Sequence, residues 1–278
     1  MYDEKSYLGF TVPEVDKILE PYAEKSYEKY KKEYFDITDE FINGLSQNHL
    51  IDKVDEYATD KVQRDFEQGW QGIEMKLNSV GSSRGDYPFV TTTIGLATSK
   101  FGKMAAISLL KVHSEGQGKK GFKRPVLFPK IVFLYDKNLH GDGSDKYPSA
   151  DVFNAGIDCS SKTMYPDWLS LTGDGYVAEM YKKYGKVVSP MGCRAFLSPW
   201  YEKGGMHPID ENDKPIFEGR FNLGVVSLHL PMILAKARRE SKDFYEVLDY
   251  YLELIRRLHK RTYDYIGELR ASVNPVAF

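Results

Sequence analysis

Lys130 to Asp136 reads KIVFLYD. Its middle, Ile131 to Tyr135, is apolar without a break rather than alternating with polar residues. A strand with apolar residues on both faces is buried on both faces, as happens in a parallel sheet covered by other layers. A second short, β-branched stretch, PFVTTTIGL from Pro88 to Leu96, reads as another strand. Between them SKFGKMAAISLLKVH, Ser99 to His113, reads as a helix. Strands separated by helices predict an α/β fold with a mainly parallel sheet.

Outward from this core, the first 80 or so residues read as helical. Val15, Ile18, Leu19 and Tyr22 recur at roughly helical spacing, and Pro13 suits a first turn. Leu45 to Leu77 is a second helical stretch, with a break or bend expected near Gly69 and Gly72. NSVGSSRGD, which follows, is a turn-rich loop. Downstream, Ala150 to Lys162 reads as a helix, KVVSPMG (186–192) as a strand, and GVVSLHL (224–230) as a strand before Pro231 at a helix start. Phe244 to Leu269 is a long helix with the stripe Leu248, Tyr251, Leu252, Ile255 and Leu258. The expected organisation is a mainly helical segment, 1–86, packing on an α/β region, 87–278.

Apolar residues make up 42% of the 278, enough for a sizeable core, and aromatic residues 14%. The net charge of −2 points to neither a nucleic acid nor a membrane partner. No run approaches the roughly 18 apolar residues of a membrane span, and the acidic start MYDEKSYLGF has no signal-peptide core. The two cysteines are far apart and form no CxxC pair, which argues against a disulfide scaffold or a zinc site. A cytoplasmic location is expected.

Three features bear on chemistry. The glycines of EGQGKKG follow a helix rather than a strand and read as a basic turn rather than a phosphate loop. The six histidines show no metal-ligand spacing, and His229 is expected to be packed or hydrogen-bonded. Cys159, in GIDCSSKTMYPD, is expected to fill the core of a helix face. Cys193 differs. It lies in VVSPMGCRAFLSPW, bracketed by Pro190 and Pro199, with Gly192 before it and Arg194 after it. Prolines stiffen the ends of such a loop and glycine permits a tight path. A neighbouring arginine can hold the loop or lower the thiol pKa. Packing of Cys193 as a plain core residue stays open on these grounds.

SPMGCRAFLSPW followed by EGRFNLGVVSLHLP resembles the anaerobic (class III) ribonucleoside-triphosphate reductases. Further blocks agree in order: PYAEKSYEKYKKE, PFVTTTIGL, RPVLFPKIVFLYD and DCSSKTMYPD. The resemblance runs from about Val12 to Phe278. It implies part of a ten-stranded α/β barrel of the glycyl-radical enzyme type, made of two antiparallel halves of parallel strands. A finger loop, here 189–200, would carry the thiyl-radical cysteine, and Cys193 matches it. Met191 matches the methionine beside that cysteine. Asn222 matches the second of two family asparagines that contact the substrate ribose. Phe221 stands where the first would be, and KGGMHPIDENDKP lengthens the spacing from Cys193 to Asn222.

The implied activity is reduction of ribonucleoside triphosphates to deoxyribonucleoside triphosphates by thiyl-radical chemistry. The family uses a glycyl radical generated by a radical-SAM iron-sulfur activase, formate as reductant in many members, and a structural zinc in a C-terminal region. This segment is expected to bind no metal or cofactor of its own. Expected partners are the substrate, further reductase segments or a complementary subunit, the activase and a second copy of the chain as a homodimer. The ATP-cone region, the second barrel cysteine and the glycyl-radical loop have no counterpart here, so the chain reads as a central fragment, inactive alone. A noncatalytic barrel remnant that keeps a nucleotide pocket or an interaction surface is the alternative.

Overall fold

The computed structural model describes residues 9–38, 47–79, 89–119, 121–190, 200–217 and 226–270. They divide into two compact units, one ending at Ile209 and the other starting at Asp210.

The first unit is built on a parallel four-stranded sheet in the order β1-β2-β3-β4. The strands are β1 (Gly9–Val12), β2 (Phe89–Ile94), β3 (Lys130–Tyr135) and β4 (Asp167–Ser170). Helices α1 (Val15–Thr38) and α2 (Gln47–Ser79) link β1 to β2, and α3 (Lys100–Glu115) links β2 to β3. The one-turn α4 (Lys137–His140) and α5 (Ala150–Thr163) link β3 to β4, and α6 (Tyr176–Tyr184) follows β4. The α/β fold with a parallel sheet is as the sequence predicts.

The unbroken apolar run of β3 has a direct cause. Ile131 and Phe133 point into one core with Ile94 of β2, Val15 of α1, Trp70 of α2, Leu109 and Leu110 of α3, and Val152 and Cys159 of α5. Val132 and Leu134 point the other way, into a second core with Leu96, Leu171 and Val187. Four helices therefore cover one face, while the second face is closed by the chain around Val187 with Val177 and Tyr181 of α6.

Several elements differ from expectation. Residues 9–12, within the first 80 or so read as helical, instead form β1 and pair in parallel with Phe89–Thr92. α2 runs unbroken through Gly69 and Gly72. Both glycines face open space, and burial of Val54, Ala58, Val62 and Trp70 along the same helix outweighs their low propensity. The sequence DWLS, not read as a strand, forms β4 on the edge of β3. Residues 186–190 and 226–229 are not strands.

The second unit contains a helical hairpin, α7 (Leu230–Glu240) and α8 (Phe244–Gly267). Pro231 sits in the first turn of α7, and the side chain of His229 caps that helix by accepting from Met232 N at 3.1 Å. Ser241, in the left-handed region at φ 53°, ends it. Asp243 starts α8 by accepting from the backbone N–H of Tyr245 at 2.8 Å and Glu246 at 3.3 Å. Ile233, Ala237 and Val247 form the buried contact between the two helices.

Candidate functional site

The second face of the sheet carries the features that point to function. Strand alternation and register put Thr11, Thr91, Thr93, Val132 and Leu134 on that face, because Thr11 pairs with Thr91 and Thr93 with Val132. β1 and β2 therefore line it with hydroxyls, and β3 lines it with apolar side chains.

Each hydroxyl has a distinct environment. Thr93 Oγ1 accepts from Glu14 N at 2.7 Å, fixing the turn between β1 and α1. Thr11 Oγ1 donates to the carbonyl oxygen of Pro190 at 2.7 Å, joining residues 179 apart in sequence. Thr91 is 1% exposed and its Oγ1 has no hydrogen-bond partner. Ser189 Oγ is likewise buried and unpartnered. Buried hydroxyls in folded proteins are almost always satisfied, so two orphans beside one anchored carbonyl mark this face as unusual.

The chain from Val187 to Pro190 crosses the same face. Val187 packs with Leu96, Val132, Leu134 and Leu171, and three residues later Pro190 is held by Thr11 on β1. Met191 and Cys193 follow directly in sequence. Met191, Cys193 and Asn222 themselves lie outside the described residues, as do 191–199 of the 189–200 loop.

Buried polar contacts hold the C-terminal ends of the strands, where ligands of parallel α/β sheets bind. Asp16, 1% exposed, accepts from Gly95 N at 2.8 Å and Ala97 N at 3.3 Å through one oxygen, and from Lys17 N at 3.1 Å through the other. Burial pushes its carboxyl above the usual range, against the opposing pull of those N–H groups. His140 is fully buried, with Nε2 2.9 Å from Gly95 O and Nδ1 accepting from Asp136 N at 3.0 Å. A neutral ring with its proton on Nε2 satisfies both contacts, and burial accordingly lowers the His140 pKa below 6.5. Tyr181 donates to Asp136 Oδ2 at 3.2 Å, and burial first, then Asp136, pushes its phenol up to about 12. Gly95 has φ +119°, and a Cβ there would stand 2.9 Å from Leu134 O, so glycine is required.

The opposite end is braced by α2. Glu74 and His113, both buried, meet at 2.9 Å, and Gln117 donates to the other Glu74 oxygen at 2.9 Å. Asn78 accepts from Leu127 N and Phe128 N and donates to Phe128 O at 2.6 Å. The glycine-rich segment forms a turn closed by backbone bonds between Gln117 and Arg124 at 2.9 and 2.8 Å, as a plain basic turn should. Cys159 is 1% exposed, and burial raises its thiol pKa. A buried, protonated thiol is a poor nucleophile, which agrees with its expected role as core filler.

Sequence reasoning did not single out Thr11, Thr91, Asp16 or His140. The available signal was the hydroxyl run VTTT in an otherwise apolar strand. Among the described residues no group of three or more His, Cys, Asp or Glu side chains could hold a metal ion, and no helix is long and apolar enough to cross a membrane.

The chain matches the family described as anaerobic ribonucleoside-triphosphate reductase over residues 3–278. It is 33% identical to the anaerobic ribonucleoside-triphosphate reductase of Haemophilus influenzae, over 98% of this chain and 34% of that protein. Against the Escherichia coli protein of the same name it is 30% identical, with the same coverage. Against that of enterobacteria phage T4 it is 34% identical over 82% of this chain and 33% of the relative. The chain thus spans about a third of the length of these curated relatives.

Proposed function

The chain belongs to the anaerobic ribonucleoside-triphosphate reductase family, and from that premise we propose that it supplies the radical-bearing cysteine of a complete reductase. In this reading the four parallel strands form part of one half of a ten-stranded barrel, and the second sheet face looks into its interior. Residues 189–200 are the finger loop and Cys193 is at its tip. The observation that carries the reading is the path of residues 187–190. They cross the face opposite α1, α2, α3 and α5 and are tied to β1 by Thr11, so the segment leading to Cys193 starts from the side a barrel would enclose.

A glycyl radical on another segment, formed by a radical-SAM activase, supplies the oxidising equivalent. Cys193 as a thiyl then takes the hydrogen from C3′ of the ribonucleotide, forming S–H and leaving a carbon radical. The 2′ hydroxyl departs as water with one added proton. Formate supplies the two reducing equivalents, its C–H bond breaking and a C2′–H bond forming in place of the lost C2′–O bond, and leaves as carbon dioxide. The Cys193 thiol returns its hydrogen to C3′, which regenerates the thiyl and yields the deoxyribonucleotide. S–H and activated ribose C–H bonds are similar in strength, so the transfer runs both ways. Met191 has a polarizable thioether with no proton to give and lines the site without quenching the radical. Asn222 donates and accepts at once, which suits two vicinal hydroxyls. A thiyl radical needs shielding from water and from other thiols, which the interior of a barrel would supply.

The test is anaerobic turnover with purified components. The chain with the remaining family segments, activase, ribonucleoside triphosphate and formate should yield deoxyribonucleoside triphosphate, and the chain alone should yield none. No product after every segment is supplied would favour a noncatalytic barrel remnant.

A further inference from the structure

We propose that the basic turn between Gln117 and Arg124, with the strand ends that follow it, is a docking surface for an acidic peptide segment of a partner protein. This goes beyond the radical chemistry and does not depend on it. Residues 116–130 contain Lys119, Lys120, Lys123, Arg124 and Lys130 and no Asp or Glu, in a chain whose net charge is −2. Lys119, Lys123 and Arg124 are exposed. Glu115, just ahead of the segment, meets Lys123 at 2.5 Å. That exposed pair offsets one charge and leaves the segment basic. A local excess of one sign selects a partner of the other sign and speeds the encounter.

Large apolar side chains stand in this basic surface. Phe122 is 81% exposed and Leu127 69% exposed. Phe89, also exposed, opens β2 and meets Phe128 edge-on, with ring centroids 5.2 Å apart. Asn78 accepts from the backbone of Leu127 and Phe128, so Leu127 and Phe89 stand at the same end of the sheet. The turn is rigid before a partner arrives. Gln117 and Arg124 exchange two backbone bonds, Phe122 N donates to Lys119 O at 2.8 Å, and the Gln117 side chain donates to Glu74. An aromatic anchor on such a turn loses little freedom on binding. Phe122 and Leu127 suit large apolar side chains, and the lysines suit carboxylates, so the fitting segment carries both. Leu127 offers a nucleobase no face to stack on, which favours a peptide over a nucleic acid.

The experiment selects a random peptide library, displayed on phage, against the immobilised 278-residue chain. Selected peptides are then titrated by fluorescence with the soluble chain and its variants. Peptides that carry Asp or Glu beside Trp, Phe or Leu should be enriched. They should bind the Phe122→Ala chain about tenfold more weakly or worse, as loss of a central anchor does. The double variant Lys119→Glu with Lys123→Glu should lose at least as much, and added salt should weaken wild-type binding. All three side chains are exposed, so each variant should keep the wild-type urea midpoint. If Phe122→Ala shifts that midpoint, Lys119→Glu alone decides, because it leaves Phe122 and the backbone bonds of the turn in place. Enrichment of no acidic peptide would overturn the proposal. So would acidic peptides that bind the variants as tightly as wild type. Cosedimentation with vesicles of phosphatidylserine and phosphatidylcholine, lost in Phe122→Ala, with no acidic peptide selected, would assign the surface to a membrane and overturn it equally.

Discussion

At Thr91 a buried hydroxyl meets no partner, and leaving such a group unsatisfied costs about 1–3 kcal/mol. Thr91→Val keeps the branched shape and should stabilise the isolated chain by about 1 kcal/mol, read as a rise in the urea midpoint at constant slope. A loss of stability would mean that Thr91 has a partner. His140 makes the opposite kind of claim. Its folded-state pKa is depressed below 6.5 by burial, so the folded chain takes up a proton less readily than the unfolded one. The stability it contributes is complete above 6.5 and declines as pH falls through that value toward the folded-state pKa. His140→Phe should be less stable than wild type at pH 7, and the gap should narrow by pH 5 in urea titrations. A gap that widens on acidification would contradict a neutral buried His140.

At the scale of elements, α5 lies close enough to the sheet to need Gly156. A Cβ there would stand 2.9 Å from the Trp168 ring and 3.2 Å from Phe133. Gly156→Ala should cost about 1–3 kcal/mol by overpacking, even though alanine gains close to 1 kcal/mol of helix propensity; a denaturant midpoint equal to or above wild type would show that the layers can separate freely. The same elements show what a sequence makes legible. β3 could be read because both its faces are buried, leaving an unbroken apolar run. β4 could not, because DWLS alternates half-buried and exposed residues at the sheet edge. β1 is four residues long and its partner lies some 80 residues away, so no local pattern reveals it. For the proposed site, the Pro-Met-Gly-Cys-Arg motif points to Cys193 by family resemblance, and Cys193 lies outside the described residues. The bond that anchors the loop joins positions 179 apart, and nothing near either residue announces it.

For the whole molecule, α8 carries more apolar surface than its hairpin partner covers. Only Val247 of that helix is buried, and Leu252, Leu254 and Leu258 are 46%, 41% and 50% exposed. Leu254 and Leu258, four residues apart, share one side of the helix, and exposed apolar surface of this kind favours association. The isolated chain should show concentration-dependent sedimentation, and the double substitution Leu254→Lys with Leu258→Lys should shift it toward monomer; an unchanged monomer in both would remove that expectation. The central claim is that Cys193, and not Cys159, carries the radical of an anaerobic ribonucleotide reductase. The measurement that reaches it most directly is anaerobic deoxyribonucleoside triphosphate formation by the complemented, activated enzyme with each cysteine replaced in turn. Cys193→Ser should abolish product while the chain stays folded, because an alcohol O–H bond is too strong to take part in the hydrogen exchange. Cys159→Ser should lower stability yet retain turnover in the molecules that fold. Product from the Cys193→Ser enzyme at a rate comparable to wild type would contradict the account.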